Sequence, residues 1–219
     1  MGGAYMFVIT ADQVDSRSRT DIVGSTLARL NDEHAGRLLL PVDRNAGDEL
    51  QVLTDDAGAA LAIVLELTRD GAWSVGLGIG TVRLPLPSET REASGDAFIA
   101  AREAVGRAKK SATRFAVEVR ADAAEGNGGE WPGATDAEAL VNLVLVIRER
   151  RTAAGWELYD LVSAGLTQAD AAKRLGISAP SASSRARAAA VRPELAAVPA
   201  LTRLLENVDR TTTRTDPQE

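Results

Sequence analysis

Met6 to Ala11 is a short apolar run that ends at Asp12, and Thr20 to Ala35 then sets Ile22, Val23, Leu27 and Leu30 on one helical face. Arg37 to Val42 and Glu49 to Thr54 are apolar runs divided by DRNAGD, whose Asp, Asn and Gly predict a hairpin turn. Asp56 to Thr68 reads as a second helix with Leu61, Val64, Leu65 and Leu67 available to pack. Trp73 to Val82 reads as a strand in which Gly76, Gly78 and Gly80 alternate with Val75, Leu77 and Ile79. That alternation leaves one sheet face bare, so a ligand or another backbone can come close. A helix over Gly95 to Lys110 and a strand over Arg114 to Val119 complete the order βαββαβαβ. This order predicts an α+β fold, a mostly antiparallel sheet covered by helices and close to the ferredoxin-like arrangement, over residues 1–125.

The glycines and Pro132 of AEGNGGEWPGA support neither periodicity, which predicts a linker at 126–134. Residues 135–152 follow as a connecting or dimerisation helix, with Thr135 as its cap and Arg148, Arg150 and Arg151 in its last turn. It carries Leu140, Val141, Leu143, Val144, Leu145, Val146 and Ile147 around nearly its whole circumference, so burial between domains or between subunits is expected. A small all-α unit is predicted over 153–207, and the polar, Thr-rich 208–219 is expected to be a disordered tail.

Composition narrows the chemistry. The 219 residues include no cysteine, which excludes disulfides and thiolate metal sites and fits a reducing compartment. A single histidine, His34, argues against a zinc site or a histidine triad. With no signal-peptide pattern and no membrane-length apolar run, a cytoplasmic protein with no membrane partner is expected. The net charge of −6 arises wholly in residues 1–134, with 14 basic and 20 acidic side chains, whereas 135–219 carry 11 of each. Lys173 to Arg192 hold five basic residues and no acid, so a field attractive to phosphate is local to that stretch.

That stretch lies inside TQADAAKRLGISAPSASSRARAA, which has helix-turn-helix spacing. Thr167 can cap one helix, with Asp170 three residues later. Ala172 is small where two helices cross, Gly176 suits a turn of positive φ, and Ile177 can plug the core. Ser178 can cap a second helix with Pro180 in its first turn, which would expose Ser181, Ser184, Arg185 and Arg187. With Thr167, Gln168, Lys173 and Ser178 these are the candidate contacts to double-stranded DNA, where arginine reads guanine and serines reach bases or phosphates. The modest charge implies a homodimer for useful affinity. A plain helical hairpin used for packing is the alternative. Ala182 and Ala186 stand where larger aliphatics usually anchor a recognition helix.

Asp12 and Asp48 would meet if their strands are neighbours, giving two carboxylates for Mg²⁺ and a nucleotide phosphate. Each aspartate alone is also what a strand end or turn favours for local hydrogen bonding. ADQVDSR, AGDEL and ASGDAFIAAREAV, followed by the helix-turn-helix, resemble the SatD-like family, whose first domain is similar to class III nucleotidyl cyclase and GGDEF folds. The resemblance implies that Asp12 and Asp48 are metal-binding, that Glu49 is the neighbouring acid, and that Arg102 meets the phosphate. Ser16 and Arg17, in the loop after the first strand, join the nucleotide-binding candidates. Arg102 alternatively pairs with Glu103 or Asp96. Phe98 stands where cyclases carry an asparagine, and Asp15 where the phosphate loop has glycine, departures that favour binding over turnover.

Taken together, the sequence implies a DNA-binding transcriptional regulator whose first domain senses a nucleotide or a partner. The rivals are a nucleotidyl cyclase or nucleotide-processing enzyme with a two-aspartate Mg site, and a structural adaptor. Trp73, Trp131 and Trp156 are expected in core or interface, since none lies in a basic aromatic cluster.

Overall fold

A computed structural model of the chain describes residues 4–45, 47–120 and 133–213. Residues 126–132 of the linker expected at 126–134, Trp131 among them, and the last tail residues 214–219 lie outside the described residues. The fold is α+β, and the described residues form a five-stranded mixed sheet and eight α-helices. In chain order these are β1 (Ala4–Gln13), α1 (Val23–His34), β2 (Leu40–Arg44), β3 (Glu49–Thr54), α2 (Ala57–Leu67), β4 (Trp73–Val82), α3 (Asp96–Ala108), β5 (Phe115–Arg120), α4 (Ala134–Glu149), α5 (Ala153–Ser163), α6 (Gln168–Arg174), α7 (Ala179–Ala188) and α8 (Val191–Thr213). The strands lie in the order β2-β3-β1-β4-β5, antiparallel except for the parallel β4–β5 pair.

Side chains alternate across the strands, and that alternation divides the interior into two layers. Phe7, Ile9 and Ala11 of β1, with Val75, Leu77 and Ile79 of β4, face the main core, which α1, α2, α4 and α8 cover. Met6 and Val8 point the other way, onto Ala97 and Ala101 of α3. The glycines of β4 lie on that second face. A Cβ on Gly78 would stand 2.2 Å from Ala97 O and 2.3 Å from Ala101 N, so the bare face is filled by the backbone of α3. This is the close backbone approach that the glycine alternation foretold, and α3 takes the space directly over these glycines.

Local signals start most of the helices. Asp56 caps α2 by accepting from Ala59 N at 3.0 Å, and Thr152 caps α5 by accepting from Gly155 N at 3.2 Å. The expected cap of α4 at Thr135 is displaced. Gly133 is the cap residue, and its N–H donates to the Asp136 carboxylate at 2.8 Å. Edge strand β5 is tied to α4 by Glu138, which accepts from Val117 N at 2.7 Å and pairs with Arg107 at 2.6 Å.

Helix α4 is buried on one side only. Val141, Val144 and Leu145 enter the main core, whereas Leu143 is 58% exposed and Leu140, Val146 and Ile147 are exposed with it. Within the chain, β5 and α8 together cover one face of this helix and leave the other exposed. The last helix also departs from expectation. Leu201, Leu205 and Val208 of α8 return to the main core, and the helix continues through Thr213 where a disordered tail was expected to have begun.

Candidate functional site

Strand pairing decides which acidic residues meet. Asp12 stands opposite Glu49 in the β1–β3 ladder, and Gln13 N donates to Asp48 O at 3.1 Å, so Asp12, Asp48 and Glu49 gather at one end of the sheet. Ser16 Oγ donates to the Asp48 carboxylate. That hydrogen bond, aided by the charges of Lys109 and Arg17, holds the Asp48 carboxyl below the usual carboxylate range. Arg102 of α3 reaches Glu49 at 3.7 Å, rather than Glu103 or Asp96, and Asn45 donates to the same Glu49 oxygen at 2.6 Å. Five of the six nucleotide-site candidates are thus joined by strand pairing or side-chain contact, and the sixth, Arg17, stands close enough to act on Asp48.

A cleft of about 430 Å³ opens beside them, lined by Gln13, Ser16, Arg17, Asp21, Arg44 and Asp48 among others. Gln13 shapes its rim, because its amide donates to Thr20 O at 2.7 Å and accepts from Ile22 N at 3.1 Å, pinning the loop after β1. Asp15 in that loop has φ 54°, the left-handed conformation that glycine adopts most readily. Arg44 is held by Asp21 at 2.7 Å, which lowers the Asp21 carboxyl pKa, while Arg17 is exposed.

Lys109 is the residue that the sequence left unmarked. Its ammonium donates to Asp12 Oδ2 at 2.7 Å from the far end of α3. The Asp12–Asp48 pair therefore already has a cation against one carboxylate and a hydroxyl on the other. Lys109 and Ser16 thus compete with Mg²⁺ for one oxygen of each carboxylate. Phe98 lines a separate cavity of about 570 Å³ with Arg83, Arg91 and Arg102 on the α3 side of the sheet.

Among the described residues, one group of three metal-type ligands has all its ligand atoms within 4.8 Å: Glu33, His34 and Glu66. Arg29 already pairs with Glu66, and His34 Nε2 lies 3.1 Å from the same carboxylate, so the group acts as a charge cluster fastening α1 to α2.

The second candidate region is built from short capped helices. Thr167 caps α6 by accepting from Asp170 N at 3.1 Å, and its hydroxyl donates to the Asp170 carboxylate at 2.7 Å. Ser178 caps α7 by accepting from Ser181 N at 3.3 Å, and Gly176 turns the chain between them at φ 64°. Leu158, Ala171 and Ala186 pack at the centre, with Ala182 also buried, while Ile177 is only half-buried. The small alanines let α7 lie close to α5 in place of an aliphatic anchor. Thr167, Lys173, Ser178, Ser181, Ser184 and Arg187 are exposed, and Gln168 is half-buried. Arg185 differs from expectation. Its side chain is only 24% exposed, turned back to Glu157 at 3.6 Å and to Ala154 O at 3.4 Å.

No family model, curated protein or solved structure matches the chain. Among the described residues no helix is long and apolar enough to cross a membrane.

Proposed function

We propose that the chain is a DNA-binding regulator of the SatD-like kind. In this reading α6 and α7 form a helix-turn-helix, and the sheet domain, of ferredoxin-like and cyclase-like type, senses a nucleotide or a partner. The observation that carries the reading is the capped α6–Gly176–α7 unit with Lys173, Ser181, Ser184 and Arg187 on its solvent side. Exposed cations on a short helix suit phosphate contact, and serines at the start of α7 suit groove contact. The exposed stripe Leu140, Leu143 and Ile147 on α4 supports assembly with a second copy, since apolar residues three and four apart make a helix-pairing seam.

The cleft beside Asp48 supports the sensing half, through Ser16 and the exposed Arg17 as phosphate partners. Lys109 favours binding over turnover, because it supplies the positive charge that a metal would bring. The ligand acts on DNA affinity only if it prefers one arrangement of the helices.

Fluorescence anisotropy of the full chain on promoter-length duplexes, at two salt concentrations and with or without nucleotide, tests the reading. Binding is expected to weaken as salt rises. Lys173→Ala and Arg187→Ala are each expected to reduce the salt slope by about 1. No salt-dependent binding, or binding unchanged in both variants, would move the assignment to an adaptor. Nucleotide turnover abolished by Asp12→Ala would move it to an enzyme.

A further inference from the structure

A second charged site lies where α4 meets α5, away from both regions above. The side chains of Arg148 and Arg151 are 7% and 0% exposed, and one buried carboxylate, Glu194 of α8, serves both. Arg148 Nη2 also donates to Leu65 O at 2.8 Å, and Arg151 Nε to Ala189 O at 2.9 Å. Two guanidiniums share one carboxylate, so this buried group carries an excess positive charge. Arg148 Nε and Arg151 Nη1 are buried with no hydrogen-bond partner. Buried polar groups are nearly always satisfied, and a buried charge without its counter-charge is costly.

Both arginines line a cavity of about 420 Å³, the size of a small-ligand pocket. Arg114 and Thr113 lie on its wall, as do Arg69 and Trp156. Arg69 is neutralised by a two-pronged contact with Asp160 at 2.8 and 2.9 Å. The Trp156 ring lies 4.2 Å from the Arg69 Cζ, 4.7 Å from that of Arg148 and 4.3 Å from that of Arg151. An indole face eases the crowding of cations but supplies no hydrogen-bond acceptor to the two orphaned N–H groups. The remaining acids on the wall, Asp70 and Glu149, are exposed and solvated.

We propose that this cavity binds a small oxyanion of the phosphate class. Arg114 and Thr113 on the open wall supply the direct contacts, and the excess positive charge of the buried Arg148, Arg151 and Glu194 group attracts the anion from beneath the wall. A planar guanidinium matches the geometry of such an anion. The cavity takes part of its wall from the sheet domain, at residues 68–71 and 112–114, and part from α4 and α5, so occupancy links the two and fixes the placement of α5. The proposal rests on neither the DNA reading nor the cleft at Asp48.

The test is a titration of the full chain with inorganic phosphate, replacing chloride at constant ionic strength and followed by tryptophan fluorescence and by Tm. A saturable fluorescence change and a rise in Tm are expected. Arg114→Gln should weaken the apparent affinity about tenfold, and Glu149→Gln should tighten it a few-fold, since both groups sit at the wall and not within the buried network. Trp156→Phe should abolish the optical change and keep the thermal one. Lack of saturation, an equal response in Arg114→Gln, or an optical change that survives Trp156→Phe would each overturn the assignment.

Discussion

Replacing Gly78 with alanine adds one methyl group where α3 sits directly on β4. The new Cβ would lie 2.2 Å from Ala97 O, 2.3 Å from Ala101 N and 2.8 Å from Ala101 Cα. Carbon atoms in contact need about 3.5 Å, so the helix must move by more than about 1 Å. All three obstacles are backbone atoms, and no rotamer change relieves them. Overpacking of this kind costs about 1–3 kcal/mol, and the rigid neighbours argue for the upper end. Relief of chain entropy returns at most about 1 kcal/mol, leaving a net loss of about 2 kcal/mol. For a chain of this size that lowers Tm by roughly 4–8 °C. Gly106 provides the control, because it lies on the exposed side of α3 and a Cβ there meets nothing within 4 Å. Gly106→Ala should gain up to about 1 kcal/mol from helix propensity. Urea unfolding followed by circular dichroism measures both variants. A Gly78→Ala protein within about 0.5 kcal/mol of the parent would refute the seating of α3 on the glycine face.

Two further outcomes follow from the same geometry. Lys109→Met removes the ammonium from Asp12 while keeping the chain length. Stability should change by no more than about 1 kcal/mol, since the ammonium is half exposed, but Mg²⁺ should then raise the Tm of the variant and not of the parent. An equal Mg²⁺ response in both would show that Lys109 does not occupy the cation position. For His34, burial first and then the charges of Arg37 and Arg29 lower the pKa below 6.5, with Glu33 opposing. The folded state therefore binds fewer protons than the unfolded state just below pH 6.5. Stability should fall as the pH drops through that value toward the folded pKa, with a ceiling of about 1.4 kcal/mol per pH unit for one group. Urea unfolding from pH 7.5 to 5.5 measures this, and a slope unchanged in His34→Gln would exclude the histidine as its source.

Much of the architecture was legible in the chain because the signals are local. The alternation of apolar runs and helical faces foretold the βαββαβαβ order, and Thr167, Gly176 and Ser178 marked the ends of α6 and α7 through bonds to residues three positions away or through their own φ. The glycine alternation in β4 announced a close approach, although not that α3 would make it. The candidate acids could be named from strand ends and turns, and the β1–β3 register then brought them together. Tertiary structure alone decided their partners. Lys109 reaches Asp12 across 97 positions, and Glu194 serves two arginines more than 40 positions away. It also turned Arg185 inward and left Leu143 in solvent. Periodicity records that a position is apolar or charged and which neighbours share its face. Which element covers that face, and which opposite charge lies across the gap, depends on contacts between distant segments that no local pattern encodes.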